Sequence, residues 1–268
     1  AVITQQDIGK LFMAGVLPGL LAMAMYVLTI GAIVMVKPNL LPAGPARPWA
    51  ERLSALKDVW PSLVLFAFVI GGLYGGLFTP TEAGGMGAGG AFLLGLLRRK
   101  LDRAGIRHAL LQATRTAAAV FTVLIGALLF GYFLTITQTP QKLTGLVTGL
   151  GLNRYTVLAL IMVMYLLLGC LMDAMAMIIL TVPIIFPVIQ QLGFDPIWFG
   201  VIIVMTVELG LIHPPVGMNV FVIKSVVPEV SFTTIFKGVI PFVITDIIRL
   251  VILIAFPIIA LWLPSRMA

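Results

Sequence analysis

The sequence predicts an all-α polytopic membrane protein. Of its 268 residues 60% are hydrophobic and only 10% are charged, whereas a soluble domain has about 25% charged residues. Long continuous apolar runs exclude a transmembrane β-barrel, which would alternate over ~10 residues, and the single cysteine excludes a disulfide scaffold. The net charge of +7 comes from short basic clusters between apolar runs. This pattern indicates cytoplasmic loops and not nucleic-acid binding.

Several apolar stretches are long enough to cross a bilayer, which takes about 20 residues. In chain order they cover residues 11–36, 62–97, 116–137, 155–191, 197–227 and 238–263. The chain begins Ala-Val-Ile, without a basic region or a signal peptide. We therefore expect it to be part of a larger protein.

Basic residues predict the orientation of the first spans. Segments 37–61 and 98–115 are both rich in Lys and Arg, so the positive-inside rule places both in the cytoplasm. The stretch 62–97 between them must then cross an even number of times. Segment 138–154 has few bases and is expected to be a loop on the opposite side.

A turn at residues 79–82 divides the stretch 62–97 into two short helices. Pro80 cannot donate a backbone hydrogen bond and disfavours helix at Thr79. Either Thr79 or Thr81 can cap the second helix, with Glu82 near its positive end. We interpret these four residues as a structural turn.

Residues 155–191 form either one long tilted helix or two short helices in a re-entrant hairpin. The interruption lies at 169–173, and a hairpin would have its tip near Asp173. In both cases a carboxylate lies within an apolar run, at a cost of about 2.5–3.5 kcal/mol. This cost favours a functional Asp173; the alternatives are a carboxylate that reaches water at a hairpin end, or one that pairs with a base.

The apolar run 197–227 is broken at residues 213–217. Pro214 and Pro215 remove two backbone donors, and non-helical backbone at membrane depth occurs only where protein buries it or where it lines a polar cavity. Broken helices of this kind form ion and substrate sites in transporters. Glu208, His213 and Asn219 around the break favour such a site over a simple proline kink.

A short internal repeat relates the two ends of the chain. Gly15 and Pro18 match Gly238 and Pro241 at a constant offset of 223 residues. The predicted topology gives these segments opposite directions, which is typical of inverted repeats. The last span also contains Asp246 and Arg249, which we expect to form a structural ion pair across one helical turn.

No phosphate-binding loop and no Cys/His cluster with metal-ligand spacing occurs in the sequence. We therefore expect neither ATP hydrolysis nor enzymatic activity, and no bound cofactor.

Taken together, these motifs resemble the large membrane (permease, dicarboxylate-type) subunit of the tripartite ATP-independent periplasmic (TRAP) transporters. The matching stretches are IGKLFMAGVLPGL (8–20), GGLYGGLFTPTEAG (71–84), LLLGCLMDAMAMIILTVPIIFPV (166–188), GFDPIWFGVII (193–203) and ELGLIHPPVGMNVFV (208–222). That family has an elevator-type fold of two inverted repeats, each with a re-entrant hairpin and a broken helix.

The resemblance implies how the chain is organised. Residues 1–36 would end the first repeat and 37–61 would be a basic cytoplasmic linker. Residues 62–268 would form the second repeat, with its hairpin at 155–191 and its broken helix at 197–227. The family's first hairpin and first broken helix have no counterpart here, so the resemblance covers the C-terminal portion of such a subunit.

The resemblance also implies a function and a site. The function is sodium-driven uptake of a small organic acid that a periplasmic binding protein delivers, together with a small membrane subunit in the bacterial inner membrane. We expect main-chain carbonyls around residues 210–214 to bind sodium and half-helix N-termini to bind the carboxylate. The candidate site residues are Gly169, Asp173, Thr206, Gly210, His213, Pro214, Pro215, Gly217 and Asn219. Thr206 and His213 replace the Asn and Thr usual in the family.

An alternative class of function is a membrane scaffold that does not transport, or a remnant of such a subunit. A channel is a weaker alternative, because the sequence has no filter motif.

Overall fold

A computed structural model describes residues 3–37, 48–149, 151–213 and 217–266 of the chain. The regular elements of these residues are α-helices and a short 3₁₀ turn, Pro264–Arg266. The helices are α1 (Ile8–Val36), α2 (Trp49–Tyr74), α3 (Pro80–Leu97), α4 (Arg103–Thr137), α5 (Thr139–Gly149), α6 (Arg154–Gly169), α7 (Ala174–Gln191), α8 (Pro196–Ile212), α9 (Met218–Val226), α10 (Phe232–Ala255) and α11 (Ile258–Leu261). Among the described helices, α1, α4, α7 and α10 are long and apolar enough to cross a membrane. The predicted class, an all-α polytopic membrane protein, is therefore confirmed.

The chain divides into two compact units. The larger comprises Ala1–Met35 and Val120–Ala268, and the smaller comprises Val36–Ala119.

In the smaller unit, α2 and α3 pack against each other. Gly90 allows close contact, because a Cβ atom there would lie 2.4 Å from Leu65 Cδ1. Thr79 caps α3 by accepting a hydrogen bond from the Glu82 backbone N–H, while the Glu82 carboxylate accepts one from the Thr79 N–H at 2.8 Å. The predicted turn is therefore confirmed, with Thr79 as the cap and Pro80 as the first helical residue.

Two helices begin earlier than the hydropathy pattern indicates. Helix α2 begins at Trp49, so residues 49–61 of the predicted linker 37–61 are helical, and residues 38–47 lie outside the described part. Helix α4 begins at Arg103, so most of the expected loop 98–115 is helical as well. Hydropathy marks only the lipid-facing part of a helix, whereas Lys, Arg, Ala and Leu favour helix on either side of that boundary.

Helix α8 is the centre of the larger unit. It contacts α6, α7, α10 and α11, and it buries residues around its whole circumference, including Trp198, Ile202 and Leu209. A helix that is apolar on all sides is expected at such a position. The core of this unit is therefore built around α8, the helix that leads into the break.

The expected loop 138–154 contains a helix instead. Residues Thr139–Gly149 form α5, which packs against α7. Pro140 lies in its first turn, where a missing N–H costs no helical hydrogen bond. The low hydropathy of this segment led to the prediction of a loop, which was wrong for these residues.

The last predicted span, 238–263, is interrupted. Helix α10 ends at Ala255 and α11 begins at Ile258. Pro257 has no N–H for the carbonyl of Leu253, four residues earlier. The indole Nε1–H of Trp198 donates to that carbonyl at 2.9 Å, so a side chain of α8 replaces the lost backbone hydrogen bond.

Candidate functional site at the hairpin and the helix break

Residues 155–191 fold back on themselves as two helices. Helix α6 ends at Gly169 and α7 begins at Ala174. The hydroxyl groups of Tyr165 and Thr181, on opposite sides of the interruption, lie 2.5 Å apart, which one continuous helix does not allow. Of the two alternatives, the helical hairpin is therefore the observed one.

Asp173 caps the second helix of the hairpin. Its Oδ1 accepts hydrogen bonds from the backbone N–H groups of Met175 at 2.9 Å and Ala176 at 3.3 Å. The side chain is exposed at the end of the hairpin. A carboxylate at this position both satisfies two backbone donors and lies at the positive end of the α7 dipole.

The predicted break in 197–227 is also observed. Helix α8 ends at Ile212, and His213 follows in an extended conformation with φ −80° and ψ 139°. Gly217 has a left-handed backbone with φ +56°, and α9 begins at Met218. Pro214 and Pro215 lie outside the described residues.

The hairpin meets the break through two glycines. A Cβ atom on Gly169 would lie 3.0 Å from the Cα atom of Gly210, and one on Gly210 would lie 3.0 Å from the Cα atom of Gly169. The two backbones are therefore in direct contact at the end of α6 and near the end of α8. Small residues permit such an approach between membrane helices.

Cys170 adds a second link between the hairpin and the break. Its thiol contacts the carbonyl oxygens of Gly210 at 3.7 Å and His213 at 3.5 Å. The structure thus brings together Gly169, Gly210 and the His213 carbonyl, three of the predicted site residues.

Other candidates take local roles. Thr206 is fully buried and its hydroxyl donates to the Ile202 carbonyl at 2.8 Å, within α8. Asn219 is exposed in the first turn of α9, two residues after Gly217. The turn residue Thr79 belongs to the smaller unit and serves as a cap.

The expected ion pair in the last span is confirmed. Arg249 Nη2 lies 2.9 Å from Asp246 Oδ1, and both side chains are buried. The sequence analysis missed Tyr26 of α1, whose hydroxyl donates to the Asp246 carboxylate at 2.8 Å. The two residues are 220 positions apart, and no local pattern in the sequence indicates this contact.

Sequence analysis also missed Cys170, because a cysteine thiol in an apolar run gives no pattern that distinguishes a packed side chain from one that contacts carbonyls. The signal that could have identified it is its position. It directly follows Gly169 at the predicted interruption.

Comparison with known proteins identifies the family. The chain matches the family described as Tripartite ATP-independent periplasmic transporter, DctM component, over residues 1–259. It is 36% identical over 267 residues to the C4-dicarboxylate TRAP transporter large permease protein of Pseudomonas aeruginosa, covering 99% of this chain and 62% of that protein. It is 32% identical over 265 residues to the sialic acid TRAP transporter large permease protein of Vibrio cholerae, covering 98% and 61%.

A third relative is the 2,3-diketo-L-gulonate TRAP transporter large permease protein of Escherichia coli, 32% identical over 254 residues, covering 94% of this chain and 59% of that protein. The chain spans about three-fifths of the length of these relatives, which are named as transporter permeases and not as enzymes. From the family match and these identities, the chain belongs to the DctM component family of the tripartite ATP-independent periplasmic transporters.

Proposed function

We propose that this chain forms part of the large membrane subunit of a sodium-coupled transporter that takes up a small organic acid. In this proposal a periplasmic binding protein delivers the acid, a small membrane subunit completes the complex, and the complex lies in the bacterial inner membrane. The named relatives carry C4-dicarboxylates, sialic acid and 2,3-diketo-L-gulonate, and all of these substrates are acids. A small carboxylate is therefore the proposed substrate class.

The observation that carries the proposal is the contact between Gly169 and Gly210. It joins the end of a helical hairpin to a helix break, and both are places where backbone groups leave regular helix. Sites of this construction bind substrates and coupling ions in secondary transporters.

Sodium would bind to carbonyl oxygens at the break. In a continuous helix the Gly210 carbonyl would accept from residue 214 and the Leu211 carbonyl from residue 215, but both of those residues are proline. At membrane depth no water replaces the missing donors. A cation that prefers oxygen ligands satisfies the two carbonyls instead.

The carboxylate of the substrate would bind at the N-terminus of α9. Gly217 has no side chain with which to cap this helix, so the positive end of α9 lacks the carboxylate cap that Asp173 provides for α7. The carboxylate of Asp173 also repels a second negative charge near the hairpin. A sodium ion bound near the Asp173 carboxylate and the substrate carboxylate would offset this repulsion. Binding of the acid would then be coupled to binding of the ion.

The proposal is tested by uptake into proteoliposomes that contain the complete transporter, with and without its binding protein. Uptake should require a sodium gradient, and an equal potassium gradient should not replace it. Replacing Pro214 and Pro215 together by Ala restores two backbone donors, and we expect it to abolish sodium-coupled uptake without loss of membrane insertion.

Pro257→Ala is the matched control, since Pro257 interrupts a helix without contacting the hairpin through any of the described hydrogen bonds. It should keep the sodium dependence of the wild type. Unchanged sodium dependence in the Pro214/Pro215 double variant would refute the proposed site. Absence of uptake under all conditions would favour the non-transporting scaffold.

A further inference from the structure

We infer that Cys170 is a positioning residue that orients the Gly210 carbonyl toward the coupling ion. This inference rests on the proposed function, because it concerns the same sodium site. It adds a side chain that contacts one of the two proposed carbonyl ligands without being a ligand itself.

Cys170 is held firmly at the end of α6. Its side chain is buried with 7% of the residue exposed, and its backbone N–H donates to the carbonyls of Leu166 and Leu168. The adjacent Gly169 contacts Gly210 backbone to backbone. The thiol therefore has little freedom to move relative to the end of α8.

The thiol lies between two carbonyl oxygens, at 3.7 Å from that of Gly210 and 3.5 Å from that of His213. One of these, the Gly210 carbonyl, has lost its helical donor to Pro214. A thiol S–H is a weak donor, and a carbonyl oxygen has two lone pairs. A hydrogen bond from Cys170 thus fixes the direction of the carbonyl and leaves a lone pair for a cation.

The second proline break in the larger unit provides a comparison. There the freed carbonyl of Leu253 accepts from the indole N–H of Trp198 at 2.9 Å, a full-strength donor. At Gly210 the replacement donor is a thiol at a longer distance. The weaker donor holds the Gly210 carbonyl in place while leaving its oxygen a lone pair with which to bind an ion.

The experiment measures sodium binding to the complete subunit in detergent, separately from uptake. The probe is NaCl titrated against KCl at constant ionic strength, and the readout is thermal stability. Cys170→Ala removes the donor and should raise the half-saturating sodium concentration about three- to tenfold, the range expected for one neutral hydrogen bond. Cys170→Ser keeps a donor at the same position and should remain within about twofold of the wild type.

Maximal uptake in proteoliposomes should change little in Cys170→Ala when sodium is saturating, because the ligands themselves remain. A residue with a merely structural role would lower maximal uptake and would not be rescued by serine. Equal sodium affinity in the wild type and Cys170→Ala would overturn the role of Cys170 while the sodium site stands. A wild type that sodium does not stabilise would overturn the sodium site and the positioning role together.

Cys170→Val is the second variant if Cys170→Ala does not accumulate. Like alanine, valine has no side-chain hydrogen-bond donor. Cys170→Val should show the same rise in half-saturating sodium concentration. Unchanged sodium affinity in Cys170→Val would overturn the inference.

Discussion

An alanine at either glycine of the hairpin contact should destabilise the larger unit. A Cβ atom on Gly169 would lie 3.0 Å from Gly210 Cα and 3.5 Å from the Val207 carbonyl oxygen, and one on Gly210 would lie 3.3 Å from the Leu166 carbonyl oxygen. All of these neighbours are backbone atoms, so relief requires α6 and α8 to separate. Overpacking of this kind costs about 1–3 kcal/mol.

The expected loss is smaller than this cost, because alanine also favours helix over glycine by about 1 kcal/mol. Gly238→Ala in α10 isolates that gain, since no atom lies within 4 Å of a Cβ there. We therefore expect Gly169→Ala and Gly210→Ala to be less stable than Gly238→Ala by about 1–3 kcal/mol, a difference of several degrees in unfolding temperature at about 2–4 °C per kcal/mol.

The assay is thermal unfolding in detergent. It is monitored through a fluorogenic maleimide, which reacts with the buried Cys170 thiol when unfolding exposes it. The chain has one cysteine, so the signal reports on the hairpin contact itself. If Gly169→Ala and Gly210→Ala unfold at the same temperature as Gly238→Ala, or above it, the backbone contact does not exist as described.

Two further predictions concern buried polar groups, and the same unfolding assay measures both. Trp198→Phe leaves the Leu253 carbonyl without its indole donor and should lower the free energy of unfolding by about 1–3 kcal/mol. Pro257→Ala returns a backbone N–H to that carbonyl. The double variant Trp198→Phe with Pro257→Ala should therefore lose less stability than the sum of the two single variants. Asp246→Leu leaves the buried Arg249 unpaired and should cost about 3–5 kcal/mol, whereas Asp246→Leu with Arg249→Met should be much closer to the wild type. Additive losses in either pair would contradict the described contacts.

The sequence was sufficient where a local signal sets the structure. Proline placed the break after α8, because its missing N–H acts on the same helix. Thr79 starts α3 as a side-chain cap, which also depends only on neighbouring residues. The pair of Asp246 and Arg249 is one helical turn apart, so its spacing alone predicted it.

Helix ends were predicted less well. Hydropathy located the apolar part of α4 but not its start at Arg103, since the first turns of that helix carry charges. It also missed α5, whose residues are too polar and too few to resemble a membrane span. Both errors have one cause: hydropathy measures preference for lipid, and a helix needs only satisfied backbone groups and compatible side chains.

The contacts that define the candidate site could not be read from the sequence. Gly169 and Gly210 lie on different helices, and no local pattern states that two glycines will face each other. The same holds for Tyr26 and Asp246, which are 220 residues apart. These contacts depend on how whole helices pack, which a single sequence leaves open.

Two proline breaks in the larger unit differ in the group that replaces the lost helical hydrogen bond. Each proline deprives the carbonyl four residues earlier of its helical donor. At Leu253 the indole of Trp198 supplies a short, strong replacement inside the core, so that carbonyl has no further need of a partner. At Gly210 the replacement is the long contact from Cys170, and the adjoining residues lie at the end of a hairpin. Because Gly210 has the longer and weaker replacement contact, the proposed sodium site is placed there and not at Leu253.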